Sequence, residues 1–309
     1  MNNIYSSVGI VVVNYNGLDI SKECIDSLLS IDYPNYTIIF VDNGSKDGSG
    51  RKISELFKDK IVYIPLPVNL GVTGGNNAGI NYSTANNLDY VLFLNNDTVV
   101  EKDFLEKLVN VSINNENALA VPKIICYFDK KRLDQWVGKE FDWWTTRPID
   151  YKYYPIDAPE YNIRADIKVA STCCLLVPIA VFKHIGIMDE KYFMYFDDAD
   201  FTLRASKMGH RIIYEPASSI YHKCNITTSK QHSTYFQYYL MFRNIFYFYN
   251  KLCDKPVAKY FVLGNHLIKL FWHIIKTTFS PNAGLKQASR AVLRDILKGN
   301  MGILKENFK

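Results

Sequence analysis

The chain has 309 residues, 48% hydrophobic and 22% charged, a balance that allows a real core and excludes disorder, collagen and a disulfide-stapled miniprotein. At roughly 150 residues per domain, this length allows one large domain or two small ones. The formal net charge of +5 is unevenly placed: residues 1–250 hold 25 Lys and Arg against 28 Asp and Glu, whereas residues 251–309 hold 11 against 3 and form a basic tail of net +8.

In chain order, Val8–Asn14 is a β-branched apolar run ending in Asn-Tyr-Asn-Gly, which reads as a strand buried on both faces and then a loop. Ser21 is placed to cap a helix in which Cys24, Ile25, Leu28 and Leu29 recur at helical spacing. Residues 36–41 form a second strand ended by Asp-Asn-Gly-Ser, a short charged helix follows, and a third strand lies around 61–64. Residues 69–81 are rich in Gly and Asn, and a fourth strand at 90–94 ends in Asn-Asn-Asp. This alternation predicts an open, mostly parallel α/β sheet, whose ligands sit beyond the carboxyl ends of its strands. Three polar clusters, at 14–17, 42–45 and 95–97, fall on that edge. Further on, residues 169–177 and 211–214 are strand-like, and the pattern turns helical beyond about residue 226.

The chemistry lies in the polar clusters. Asp97 offers a hard carboxylate oxygen to Mg²⁺ or Mn²⁺ and Asn95 a neutral carbonyl, although the same residues also make an ordinary turn with Asp97 as N-cap. Asp42 suits a ribose or base contact or an Asx-turn. NLGVTGGNNAG at 69–79 is neither a Walker A loop nor a G-x-G-x-x-G fingerprint, but its glycines allow close backbone approach to a ligand. In Asp197-Asp198-Ala-Asp200 adjacent carboxylates repel, which suits a general base as well as the acidic first turn of a helix. The cysteines (Cys24, Cys126, Cys173, Cys174, Cys224, Cys253) lack C-x-x-C spacing and read as reduced thiols of a cytosolic protein. The start has no basic n-region and too short an apolar run for a signal peptide, and no stretch reaches about 20 apolar residues, so neither a leader nor a spanning helix is expected.

VVVNYNG at 11–17, VDNGS at 41–45, NLGVTGGNNAG, FLNNDT at 93–98, ASTCCLL at 170–176, GIMDE at 186–190, YFDDADFTLR at 195–204, GHRIIYEP at 209–216, His222 and Arg243-Asn244 stand in a specific order. Together they resemble the family 2 glycosyltransferases of the GT-A fold, most closely the rhamnosyltransferase-like branch of bacterial surface-polysaccharide synthesis. The resemblance covers roughly residues 8–250. It implies a Rossmann-like sheet with flanking helices, with residues 1–100 as the nucleotide-sugar half, 101–225 as the acceptor half and 226–309 as a helical extension. It also implies an inverting, Mg²⁺- or Mn²⁺-dependent transfer from a nucleoside-diphosphate sugar, dTDP-rhamnose by branch, to a hydroxyl of a glycan or lipid-linked acceptor.

By the same resemblance Asn14, Tyr15, Asn16 and Asp42 hold the nucleoside. Asn69, Gly74, Gly75 and Asn77 line the nucleotide-sugar, and Asn95-Asn96-Asp97 stands at the D-x-D metal motif. Asp198 is the base, His222 joins the metal shell, and Arg243 meets the diphosphate. Asn95 for the first motif acid, Asp-Asp for the more usual Glu-Asp pair, and Thr172 for a small residue are departures from the pattern. A non-catalytic sugar-nucleotide or glycan binder on the same fold is the rival reading.

In the tail, Lys259, His266, Lys269, His273 and Lys276 fall on one side of a helix whose remainder is largely apolar, and Lys286, Arg290, Arg294 and Lys298 extend the charge. Such a helix suits an anionic membrane surface on the cytoplasmic side, or packing on the catalytic domain or on a second copy. No nucleic-acid motif accompanies the charge, so nucleic acid is not expected as a partner.

Overall fold

The computed structural model describes residues 5–134, 136–150, 152, 154–223, 234–278 and 283–302. In chain order the strands are β1 (Val8–Asn14), β2 (Tyr36–Asp42), β3 (Val62–Pro65), β4 (Tyr90–Asn95), β5 (Thr98–Val100), β6 (Leu119–Cys126), β7 (Val137–Gly138), β8 (Phe141–Asp142), β9 (Arg147–Pro148), β10 (Ala165–Ile167), β11 (Val169–Ala170), β12 (Cys174–Pro178) and β13 (Ile212–His222). The helices are α1 (Leu18–Leu28), α2 (Ser49–Phe57), α3 (Gly71–Ala85), α4 (Phe104–Ile113), α5 (Ile179–Ile185), α6 (Asp197–Lys207), α7 (Thr234–Leu252), α8 (Pro256–Thr278) and α9 (Ala283–Lys298).

Among the described residues, nine strands share one sheet in the order β10-β13-β6-β12-β4-β1-β2-β3, with β5 paired to β13. β3, β2, β1 and β4 run parallel, and β12 enters antiparallel beside β4. Along β1, Val8, Ile10 and Val12 join the core on one sheet face and Val11 joins the core on the other. Burial on both faces is why the strand reads as a continuous apolar run, and each such side chain contributes about 1.5–3 kcal/mol.

Several expected boundaries move. Residues 169–177 divide into β11 and β12, because Ser171 and Thr172 turn the chain toward the cleft. The last strand extends from Ile212 to His222, with a register irregularity between Glu215 and Ser219. Ser21 is inside α1 rather than capping it, and its hydroxyl donates to Asn14 Oδ1 at 2.9 Å. The Gly/Asn-rich segment becomes α3, packed on β1. A Cβ at Gly75 would lie 2.5 Å from Val13, and one at Gly79 would lie 2.4 Å from Val11, so these glycines bring helix and sheet together. Cys24, Cys126, Cys173, Cys174 and Cys253 are free thiols, and Cys224 lies outside the described residues.

Candidate active site

A cavity of about 670 Å³ opens at the carboxyl edge of the parallel strands. That is the volume of a small-molecule site. Tyr15 from the end of β1, Asn43 from that of β2, Asn95, Asn96 and Asp97 from that of β4, and Asn69 before α3 line one part. Asp197, Asp198, His222, Trp136, Phe141 and Thr172 line the rest.

The strand ends are held by buried amides. Asn14 is fully buried: its Nδ2 donates to Asp42 Oδ1 at 3.3 Å, Ser45 Oγ at 3.1 Å and Ser49 Oγ at 3.0 Å, while its Oδ1 accepts from Gly17 N and Ser21 Oγ. Asn14 therefore pins β1 to the loop after β2 and does not line the cavity. Asn16 is left-handed (φ 52°) and its Oδ1 accepts from Lys46 N at 2.8 Å, again within the loop framework. Asp42 is buried behind the cavity wall, where a Cβ at Gly50 would come within 1.9 Å of its Oδ2; only glycine lets α2 approach this close. Asn43, not anticipated, donates to Asn69 Oδ1 at 3.0 Å and to Gly71 O at 2.9 Å and accepts from Leu70 N, shaping the loop that lines the cleft. Gly71 also lines it, with φ 75° and a hypothetical Cβ only 2.1 Å from Phe193 O.

Three expected donor residues point elsewhere. A Cβ at Gly74 would meet Leu70 at 2.4 Å, and Gly75 faces Val13, because the helical phase turns both toward protein. Asn77 bonds Met188 N and O at 3.0 Å and Glu190 Oε1 at 2.9 Å, tying α3 to the GIMDE segment; its neighbour Asn76 is the one that lines the cavity.

Asp97 and His222 are brought together by strand pairing. β13 lies antiparallel to β5 with His222 opposite Thr98, and Lys223 N donates to Asp97 O at 2.9 Å. His222 Nε2 then sits 3.0 Å from Asp97 Oδ1, and its Nδ1 bonds Asp134. Burial pulls the imidazole pKa down, but Cys173, Asp134 and Asp97 outweigh it and hold the ring well above its usual value. Asp134, missed in the sequence, fixes the ring so that Nε2 faces Asp97, the arrangement in which a carboxylate orients a metal-binding histidine. One carboxylate and one imidazole fit a hard divalent cation whose remaining positions are taken by substrate phosphate oxygens and water. Among the described residues no group of three or more His, Cys, Asp or Glu is placed to form an all-protein cage.

Asp197 and Asp198 open α6 after a strained turn. Phe193, Tyr195 and Phe196 all have φ between 66° and 68°, a left-handed conformation that costs about 1–2 kcal/mol each outside glycine. The turn is gripped from α7: Asn244 Nδ2 donates to the carbonyls of Tyr192, Met194 and Tyr195 at 2.8–3.0 Å, and Arg243 donates to those of Lys191, Tyr192 and Gly302. Arg243 is 1% exposed and thus braces the acidic turn; the expected contact with a diphosphate is corrected, since its guanidinium is spent on backbone carbonyls. Asp200 is buried against Arg204, Lys251 and Tyr192 and belongs to the same brace.

Burial, then repulsion from Asp198, pushes the Asp197 carboxyl well above its usual range. Burial raises Asp198 to about 6, opposed by the Ala199 N–H that donates to it at 2.8 Å. Burial and mutual repulsion thus favour a proton on the pair, and Asp198, partly open to the cleft, is the member placed to exchange one with a ligand.

One cleft at the strand ends of this α/β sheet thus holds an acidic pair and a carboxylate–imidazole pair. The model of glycosyl transferase family 2 matches residues 9–185, more than half of the chain, and the chain belongs to that family. It is 26% identical over 273 residues to the low-salt glycan biosynthesis hexosyltransferase Agl10 of Haloferax volcanii, covering 88% of this chain and 85% of that protein. It is 24% identical over 217 residues to the dTDP-rhamnosyl transferase RfbF of Shigella flexneri, covering 66% and 64%. With an uncharacterized glycosyltransferase of Rickettsia typhi it shares 30% identity over 191 residues, 61% of this chain and 55% of that relative's length.

Among solved structures, GalNAc-T7 with UDP, GalNAc and Mn²⁺ superposes at a TM-score of 0.59 with 14% identity, over 72% of this chain and 44% of that one. S. aureus TarS 1-349 superposes at 0.57 with 17% identity, over 95% and 81%. The fold is that of the GT-A glycosyltransferases.

Proposed function

We propose that this transferase moves a sugar, with inversion, from a nucleoside-diphosphate donor to a hydroxyl of a glycan or lipid-linked acceptor in surface-polysaccharide synthesis. The carrying observation is that one cavity is lined both by Asp198, whose pKa is raised to about 6, and by the Asp97–His222 pair. Asp198 takes the proton of the acceptor hydroxyl, and that oxygen bonds to the anomeric carbon on the face opposite the departing diphosphate. The anomeric C–O bond breaks, the nucleoside diphosphate leaves with the electron pair, and the proton passes from Asp198 to solvent. One base suffices, and no enzyme nucleophile is required. Asp97 and His222 are the residues that would hold Mg²⁺ or Mn²⁺, which when bound supplies positive charge to the departing diphosphate. Tyr15, Asn69 and Asn96 line the cavity beside them and orient the donor.

The named relatives support hexosyl transfer, and the similarity to a dTDP-rhamnosyl transferase makes dTDP-rhamnose the first donor to try. The test is a thermal-shift screen of nucleoside diphosphates with Mn²⁺, followed by donor turnover and NMR assignment of the product anomer. Nucleoside-diphosphate release with an inverted anomer, lost on chelation and in Asp97→Ala and reduced less in His222→Ala, is expected. Retention of configuration, or full activity under chelator, overturns the mechanism. Tight donor binding without release under any acceptor supports the non-catalytic rival.

A further inference from the structure

α8 presents two unlike faces. Ala258, Val262, Leu263 and Leu270 pack inward. His266 and His273 of the expected basic stripe also lie half-buried, against Phe242 of α7, so that stripe does not form the outer surface. The outer surface is apolar: Tyr260, Phe261, Ile268, Phe271, Trp272 and Ile275 are each 50–73% exposed. At about 100° per residue they fall within an arc of about 120° and span about 22 Å. Scattered exposed apolar residues are ordinary, but a continuous aromatic-aliphatic stripe of this length marks a contact surface.

The covering partner is set by charge and by position. The helix has no acidic residue; Lys269 and Lys276 border the stripe, with Lys276 Nζ 4.8 Å from the Trp272 ring centroid. Arg290 and Lys298 of α9 are also exposed. A second copy docked stripe to stripe about a two-fold axis would bring these lysines together without an acidic partner on the helix. Anionic lipid headgroups supply the missing charge, and aromatic rings suit the headgroup boundary. No helix among the described residues is long and apolar enough to cross a membrane, so the contact is with a surface.

The stripe also adjoins the catalytic cleft. The β8–β9 hairpin carries the half-exposed Trp144 onto Phe261, ring centroids 5.6 Å apart. Two and three residues further on, Thr146 and Arg147 line the cavity. We infer that the outward stripe of α8, with Trp144 beside it, docks on an anionic membrane surface and brings the cleft to an acceptor carried by a lipid. The acceptor part rests on the transferase reading; the docking part does not.

The test therefore uses no donor. Full-length protein is floated with phosphatidylcholine vesicles containing 30 mol% phosphatidylglycerol and with pure phosphatidylcholine vesicles. Binding to the anionic vesicles, with tryptophan quenching by brominated lipid, is expected. Ile268→Ser with Phe271→Ser should weaken partitioning by about tenfold or more, the effect of losing a buried aliphatic or aromatic side chain. Lys269→Glu with Lys276→Glu, which changes only exposed side chains, should abolish the preference for anionic vesicles. An unchanged melting temperature confirms that both variants fold. Absence of binding by the parent protein, equal binding by the stripe variant, or a stripe-dependent dimer that ignores vesicles overturns the inference, whatever the enzyme's turnover.

Discussion

The two working edges of the cleft are built on opposite principles. On the strand-end edge the backbone is regular and side chains do the fixing: parallel register sets Asn14 beside Asp42, and buried amides lock the loops. At the acidic turn the backbone itself is strained, with three aromatic residues in left-handed conformation held by Arg243 and Asn244 from a helix some fifty residues away. A sheet edge positions ligand-binding groups at little cost, whereas a carboxylate aimed into a cavity at a raised pKa needs an external brace.

The sharpest break in this comparison is Asp198→Asn. It removes the proposed proton acceptor with almost no change of shape, so turnover should fall at least about a hundredfold while donor affinity is retained. In the parent enzyme, turnover should fall as pH drops through about 6, because the base must be ionised. Stability carries the opposite sign. The folded state binds this proton more tightly than the unfolded chain, so the carboxyl favours folding at low pH and costs stability as pH rises through about 6. The asparagine variant should accordingly be more stable at pH 7.5 by about 1–2 kcal/mol, allowing for the side chain's partial exposure, with the gain vanishing below about pH 4. Calorimetry at both pH values checks this.

Asn244→Ala comes next and tests the brace. It removes the side-chain amide donor to the Met194 and Tyr195 carbonyls, while that of Tyr192 keeps Arg243, for a stability loss of about 2 kcal/mol. Turnover should drop about tenfold with donor affinity unchanged, since the strand-end edge is untouched. A change in donor affinity of the same size would show that the edges are not separable.

The smallest effect belongs to Asp134→Asn, which keeps a partner on His222 but removes its charge. Mn²⁺ affinity measured by electron paramagnetic resonance with nucleoside diphosphate present should weaken about tenfold, the usual effect of losing a group that orients a ligand. Turnover at saturating Mn²⁺ should change less.

The strand-end edge was the more legible in sequence. Apolar β-branched runs ending in Asn and Asp mark both the strands and the positions of their ends, so β1, β2 and β4 came within a residue of their bounds. Side-chain direction was not legible. Gly74, Gly75 and Asn77 share a motif with Gly71 and Asn76, and only the phase of α3 against the sheet decides which face ligand and which face protein. Arg243 illustrates the same gap: a cation beside an asparagine suits a phosphate as well as a cluster of carbonyls, and its true partners lie far away in sequence. Asp134 carried no signal at all, being one acid in an irregular aromatic stretch whose role appears only when His222 reaches it.

The pairing of β5 with β13 has a consequence for how this chain tolerates insertions and deletions. Asp97 and His222 are 125 residues apart in sequence, yet their meeting depends on a count of three ladder positions: Val100 on Ile220, Val99 on Tyr221 and Thr98 on His222. Lengthening a distant loop leaves that count intact. A single residue added between 220 and 222 would turn His222 to the opposite sheet face, since side chains alternate along a strand. The irregularity between Glu215 and Ser219 lies just upstream, where the ladder already slips, so an added residue there can be absorbed before the count begins.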